Sequence, residues 1–294
     1  FLPSVIANTP SWCSVVVADN ASTDNSLSLL QQHFPDVQCI EMQQNTGFAG
    51  GYNNALHQID AEYFILLNSD IEVTPQWVEP IIEFMIQHAD VAACQPKILA
   101  YNQKDFFEHA GACGGYIDYL GFPFCRGRIF NSLEKDENQY PDNKEIFWAT
   151  GAAMFIRSNV FKATGGFDAD FFAHMEEIDL CWRMKHCGYK LYCIPASKVY
   201  HVGGGTLHKS NPKKTYLNFR NNLMMLLKNL PSGSRFSVFV KRLFLDKLAF
   251  IKFFVSGNFR DAWAVYRAYF YVMLYFRIIM KKRREIKNIN SGVS

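Results

Sequence analysis

An α/β fold built on a parallel sheet is predicted by three observations in the first hundred residues. Strand-like runs alternate with helical periods: residues 14–18 precede Leu27, Leu30 and Phe34, residues 39–42 precede Leu56 and Ile59, and residues 63–67 precede Trp77, Val78, Ile81 and Ile82. The third run, "YFILL", is uninterruptedly apolar, the pattern of a strand covered on both faces. It stops abruptly at Asn68, Ser69 and Asp70, and sheets of this kind bind ligands beyond the carboxyl ends of their strands.

The elements follow in order. Thr74 and Pro75 supply a cap and a first helical position for the helix after the third strand, and a further strand is expected near Val91. From about residue 100 to 145 the pattern dissolves into Gly, Pro, aromatic and charged residues, a long insert that reads equally as a functional or a mobile loop. Regular structure returns with the strand "EIFWATGAAMFIR" and a helix over 158–163 stopped by Gly165 and Gly166. "HMEEIDLCWRMKHCGY" is an amphipathic helix ended by Gly188, "YKLYCI" a strand, and "YLNFRNNLMMLLKNLP" a last core helix closed by Pro231. The boundary falls there: residues 1–231 form the α/β domain and 232–294 a basic, aromatic extension.

That extension has no apolar run long enough to span a bilayer, since 268–276 is well short of roughly 20 residues. Its helices, over 235–284, are expected to lie on a surface, with an anionic membrane as the preferred partner and packing on protein as the alternative.

Composition bounds the function classes. With 294 residues, 49% of them hydrophobic, the chain buries a large core, and 30 basic against 27 acidic residues exert no global pull toward nucleic acid. Eight scattered cysteines without CxxC pairs fit free thiols in a reducing compartment, so a cytoplasmic location is expected, peripheral on the inner membrane face if the extension binds lipid. No charged-then-apolar leader follows Phe1.

Five polar clusters fall at or near the carboxyl edge expected for the sheet. Asp19 can accept from a nucleobase N–H or simply cap the following turn. The glycine loop, with Asn45, Gly47, Gly50 and Asn53, lets backbone approach a ligand at a helix N-terminus. Asp70 suits a hard divalent cation bridging diphosphate oxygens, with Asn68 as its neutral neighbour, although an Asx turn explains both as well. Glu176, Glu177 and Asp179 place three carboxylates at a helix start, where one can act as general base or all three can merely complement the dipole. His201, before a run of glycines, is a possible second metal ligand. Beside these, Trp148, with Thr150 and Gly151, offers a surface for an acceptor sugar or a piece of core, and Arg220 a fork for phosphate.

In this order the motifs resemble glycosyltransferase family 2, inverting enzymes of the GT-A fold, and among them bacterial rhamnosyltransferase-type enzymes of surface polysaccharide assembly. "VVADNASTDNS" resembles the nucleotide-binding strand and turn, "NTGFAGGYNNAL" the glycine loop, "LLNSDIEV" the DXD metal site with Asn for the first Asp, "FFAHMEEIDLCWR" the segment of the acidic base, and "YHVGGGT" the metal-binding histidine. The resemblance implies a nucleotide-diphosphate sugar donor, a saccharide or lipid-linked acceptor, Mg²⁺ or Mn²⁺ held by Asp70 and His201, and Glu177 as base, with Glu176 or Asp179 as substitutes. Family members open with a further strand and a Tyr-Asn turn, whereas "FLPSVI" resembles the helix after them, so a non-catalytic sugar-nucleotide or membrane-binding protein is the rival reading. A nucleotidyltransferase is less favoured, because "NTGFAGG" carries no Lys or Arg.

Overall fold

The computed structural model describes residues 1–109, 111–130, 132–203 and 211–292. Along the chain run α1 (Leu2–Asn8), β1 (Val16–Asp19), α2 (Ser26–His33), β2 (Gln38–Glu41), α3 (Gly47–Leu56), β3 (Tyr63–Leu67), β4 (Ile71–Val73), α4 (Glu79–Gln87), β5 (Val91–Ala100) and β6 (Gln103–Phe107). The insert contains β7 (Gly115–Ile117), β8 (Pro123–Cys125), β9 (Arg128–Ile129), β10 (Ser132–Leu133) and β11 (Lys144–Ile146). Then come β12 (Ala153–Arg157), α5 (Ser158–Ala163), a 3-10 turn (Ala169–Phe171), α6 (Glu176–His186), β13 (Lys190–His201), α7 (Pro212–Asn229), α8 (Ser232–Val255), α9 (Phe259–Leu274) and α10 (Phe276–Gly292).

The α/β class stands, but the main sheet is mixed rather than parallel. Its order is β11-β13-β5-β12-β3, with β4 and β6 added on β13 and β5. β5 and β13 run parallel, while β12 is antiparallel to both β3 and β5. β1 and β2 form a separate parallel pair, joined through α2. The insert folds into short hairpins, with β7 pairing β8 and β9 pairing β10.

β3 is therefore an edge strand, and the expectation of two buried faces fails for a physical reason. Phe64 and Leu66 are buried in the core, whereas Ile65 and Leu67 face a cavity of about 740 Å³ shared with β1. The helix expected from Thr74 starts later, at Glu79, because residues 71–73 return as β4 against the end of β13. Thr74 caps nothing; its hydroxyl donates to the Lys198 carbonyl at 2.7 Å. Similarly, the strand expected over 145–157 divides into β11 and β12, and "YKLYCI" continues through a register shift near Pro195 into one long strand ending at His201.

The core is filled from both sides of the sheet: α4 with Trp77, Val78, Ile81 and Met85 on one, and Phe161, Phe167, Ile178, Leu180 and Met184 on the other. α7 carries a long buried segment, Leu223 to Leu227, to which α9 and α10 are packed. A buried Arg242–Asp246 pair ties α8 inward, with Tyr269 donating to Asp246 at 2.7 Å and Arg242 to the carbonyl of Leu120 at 3.0 Å.

Candidate active site

The large cavity lies between the carboxyl ends of β1 and β3, under the N-terminus of α3. Asp19 closes β1 at 8% exposure, and its Oδ2 accepts from Ser22 N at 3.0 Å. That bond holds a tight turn and leaves Oδ1 without a donor among the described residues. Asn20, which the sequence analysis missed, is the local organiser. Its Nδ2 donates to Gly47 O at 2.9 Å, while its Oδ1 accepts from Thr46 N at 3.1 Å. The adjacency of "DN" to a glycine loop was the available signal, since a primary amide alone offers donor and acceptor to one stretch of backbone.

Gly47 is required at φ +73, where a Cβ would come within 2.4 Å of the Phe172 carbonyl. Asn45 Oδ1 accepts from Gly47 N at 2.9 Å, so the loop is held from both sides. Gly50 packs its bare face on Thr46. Asn53 lies away from the cavity: Nδ2 donates to Phe167 O at 2.7 Å and Oδ1 accepts from Phe167 N at 2.9 Å, so it staples α3 to the segment before α6.

Asn68 and Asp70 line the same cavity. The β4 turn brings Asp70 Oδ1 to 3.1 Å from His201 Nε2, and the 71/201 register of β4 and β13 fixes that approach. Glu108, also missed from sequence, lies beyond the ring, its Oε1 3.6 Å from His201 Nδ1. Burial pulls the imidazole pKa down, but the Asp70 and Glu108 carboxylates outweigh it and lift it to about 9. Among the described residues no cluster of three or more His, Cys, Asp or Glu forms a metal cage. Asp70, with its side chain 29% exposed, and His201 once its Nε2 proton is released would fit a hard divalent cation that takes few ligands from protein. The glycines at 204 and 205 lie outside the described residues.

The carboxylate cluster at α6 separates into two kinds. Asp179 is fully buried and paired: Oδ2 receives Arg183 Nε at 3.0 Å and Lys228 Nζ at 2.8 Å, and Oδ1 receives Asn229 Nδ2 at 2.8 Å. Lys228 also reaches Asp168 at 2.7 Å. Asp179 is thus fully buried in an ionic network with both oxygens engaged, which disfavours the expectation that it can act as base. Glu176 and Glu177, by contrast, each have a buried Oε2 without a hydrogen-bond partner. Desolvation raises the Glu177 carboxyl from 4.5 to about 7 and raises Glu176 further, with Glu177 adding to the latter. A helix N-terminus favours carboxylate by at most ~2 kcal/mol, so here burial wins over the dipole. Glu177 is the more open of the two.

The loop before α6 is unusual. Phe172, His174 and Met175 all have positive φ, at 64, 71 and 72. Asn221 holds it by donating from Nδ2 to the carbonyls of Phe171, Ala173 and His174, at 2.7–2.9 Å. Arg220, expected at the donor phosphates, instead donates from Nη2 to Asp170 O and Phe171 O and borders a different cavity, between α7 and α9.

Trp148 is 6% exposed, with its indole N–H donating to Tyr116 O at 2.8 Å and its ring against Gly115. It offers no open face to a sugar, because the hairpin of β7 and β8 covers it. Thr150 is buried with its N–H on Gln95 Oε1 at 3.1 Å, and Gly151 packs on Phe48.

The sequence profile described as Glycosyl transferase family 2 matches residues 1–164. The chain is 26% identical over 219 residues, 68% of its length and 70% of the relative's, to the N-acetylglucosaminyl-diphospho-decaprenol L-rhamnosyltransferase of Mycobacterium tuberculosis. It is 35% identical over 195 residues, 64% of its length and 72% of the relative's, to rhamnosyltransferase WbbL of Escherichia coli K12. Among solved structures, GalNAc-T7 with UDP, GalNAc and Mn²⁺ superposes with a TM-score of 0.60 at 14% identity, over 77% of this chain and 44% of that one. Staphylococcus aureus TarS residues 1–349 with UDP gives 0.51 at 15% identity, over 83% and 65%. The fold is that of the GT-A glycosyltransferases, and the chain belongs to glycosyl transferase family 2.

Proposed function

We propose that the chain is an inverting, metal-dependent transferase that moves a sugar from a nucleoside-diphosphate donor to a hydroxyl of a lipid-linked saccharide in surface polysaccharide synthesis. The observation that carries this reading is a polar cavity rim, formed by Asp19, the Asn20-braced glycine loop, Asn68 and Asp70, whose Gly47 is covered by Phe172, five residues before the unpartnered carboxylate oxygen of Glu177. The nucleotide lies along Asp19 and the backbone at Gly47, where a helix N-terminus favours phosphate. Asp70 and His201 would hold a Mg²⁺ or Mn²⁺, which when bound would supply positive charge against the departing diphosphate. Glu177 takes the proton of the acceptor hydroxyl, which attacks the anomeric carbon opposite the leaving group. One displacement inverts the configuration. Burial holds the Glu177 carboxyl basic enough for the task, while Glu176, buried beside it, is kept protonated by its own burial and by the Glu177 charge.

A lipid-linked acceptor is supported by the relative named for a diphospho-decaprenol substrate and by the outer face of the extension. Phe236, Val240, Leu243, Phe244, Leu248, Ile251 and Phe254 recur at helical spacing along α8 and are 45–82% exposed. No helix among the described residues is long and apolar enough to cross a membrane. Residues 232–294 carry thirteen Lys and Arg against three Asp and Glu, so this apolar stripe is set in a basic surface suited to anionic lipid.

The test incubates the chain with dTDP-, UDP- and GDP-sugars and a polyprenyl diphosphate-linked saccharide, following nucleoside diphosphate release and the anomeric configuration of the product. An inverted linkage whose formation chelator abolishes and Mn²⁺ restores is the expected result. A retained configuration, or transfer unaffected by chelator, contradicts the proposal.

A further inference from the structure

We propose that a second cavity, of about 630 Å³ between α7, α9 and Phe172, binds the diphosphate of the lipid-linked acceptor; this inference rests on the transferase reading above. Four cations line it: Lys213 and Arg220 from α7, Arg260 and Arg267 from α9. None of the four forms an ion pair among the described residues. The acids that border them are engaged elsewhere. Asp261 accepts the Thr215 hydroxyl at 2.5 Å, and Asp170 pairs with Lys282 at 2.5 Å. Their other contacts are with rings and carbonyls. Lys213 lies over Phe172 and Arg267 over Tyr216, while Arg220 spends Nη2 and Nε on carbonyl oxygens. Unneutralised guanidinium and ammonium groups converging on one concavity suit a multiply charged phosphate ester, which guanidinium binds in a fork.

The spacing favours two phosphoryl groups over one. On each helix the two cations are seven residues apart, so the four bound a basic strip about 10 Å long on paired helices. Trp263, 58% exposed at the rim, joins this strip to the apolar face of the extension, where a prenyl chain finds its surroundings. Toward the interior the cavity ends on Phe172. That residue is also the cover of Gly47 in the donor cavity, and the loop it opens leads within five residues to Glu177. A diphosphate seated here thus carries its attached sugar toward the loop that presents the base, with the donor on the other side of Phe172.

The experiment measures binding of farnesyl diphosphate to the full chain by titration calorimetry, in wild type, in Arg260→Ala/Arg267→Ala, and in Lys162→Ala as a control for loss of charge on a distant helix. Both arginines are exposed, so the double variant is expected to fold, and its thermal unfolding verifies that. Expected are saturable binding that inorganic diphosphate displaces, weakening by about tenfold or more in the double variant and unchanged in Lys162→Ala. Binding that is equal in wild type and double variant overturns the inference, as does displacement of farnesyl diphosphate by phosphatidylglycerol vesicles, which would make the strip a general lipid contact. If no sugar is transferred yet farnesyl diphosphate binding follows the two arginines, the transferase reading fails and the anion site stands. If transfer proceeds while binding ignores them, the site fails alone.

Discussion

At the scale of the residue, the proposed chemistry turns on two adjacent glutamates. A carboxylate must lose its proton to act as base, and burial resists that loss, so the Glu177 carboxyl at about 7 is ionised only toward neutral pH. Transfer is therefore expected to fall about tenfold per pH unit below about 7, measured as kcat/KM across pH 5 to 9. Stability moves the other way. Below 4.5 the carboxyl is protonated in folded and unfolded chain alike; as pH rises the unfolded chain ionises first, so the folded state loses stability up to about 7. Glu177→Gln is expected to gain of order 2 kcal/mol over wild type at pH 8 and nothing at pH 4, read from urea unfolding. Asn20 illustrates a different use of a single side chain. Asn20→Ala removes bonds to Thr46 N and Gly47 O and is expected to raise the donor KM by about tenfold with a smaller effect on kcat, since it loosens the glycine loop without touching the base.

Between residue and domain, the loop over 172–175 is the element on which the site depends. Three non-glycine residues in the left-handed region cost on the order of 1–3 kcal/mol each, and Asn221 with Arg220 supplies the bonds that hold them there. Asn221→Ala is expected to destabilise the fold by about 2 kcal/mol and to lower kcat more than it raises either KM, because the loop sets the position of Glu177. Nothing in "FFAH" signals that backbone, since positive φ at Phe and Met has no local sequence cause and is imposed by α7. β4 escaped the sequence analysis for another reason: three residues are too short to show a period, and Thr74-Pro75 imitates a helix cap. Yet β4 is what delivers Asp70 to His201. The glycine loop, α6 and the strand over 63–67 with the polar stop after it were legible because each announces itself within ten residues. Glu108 was not, since it lies in the irregular insert and meets His201 only through the sheet.

On the scale of the whole molecule, charge and apolar surface are separated along the chain. The α/β part carries the polar cavity, and the C-terminal helices gather the basic residues and the exposed aromatics. The amphipathic period of those helices was readable; that their inner faces bind α7, which holds the loop over 172–175, was not, because it depends on tertiary packing. Phe244→Ser with Phe254→Ser, both on the outward stripe, is expected to weaken cosedimentation with phosphatidylglycerol vesicles severalfold and to leave transfer to a detergent-dispersed acceptor intact.

The account depends most on the division of labour between the two glutamates, and one comparison tests it: single-turnover transfer by wild type, Glu177→Gln and Glu176→Gln, with donor affinity measured alongside. Glu177→Gln is expected to lose roughly 10²–10⁴-fold in rate while binding donor within about twofold of wild type, and Glu176→Gln to retain most of its rate with its pH profile in place, because burial rather than a Glu176 charge raises the Glu177 carboxyl. A Glu177→Gln enzyme as fast as wild type, or a Glu176→Gln enzyme that alone is inactive, would contradict the assignment of Glu177 as the base.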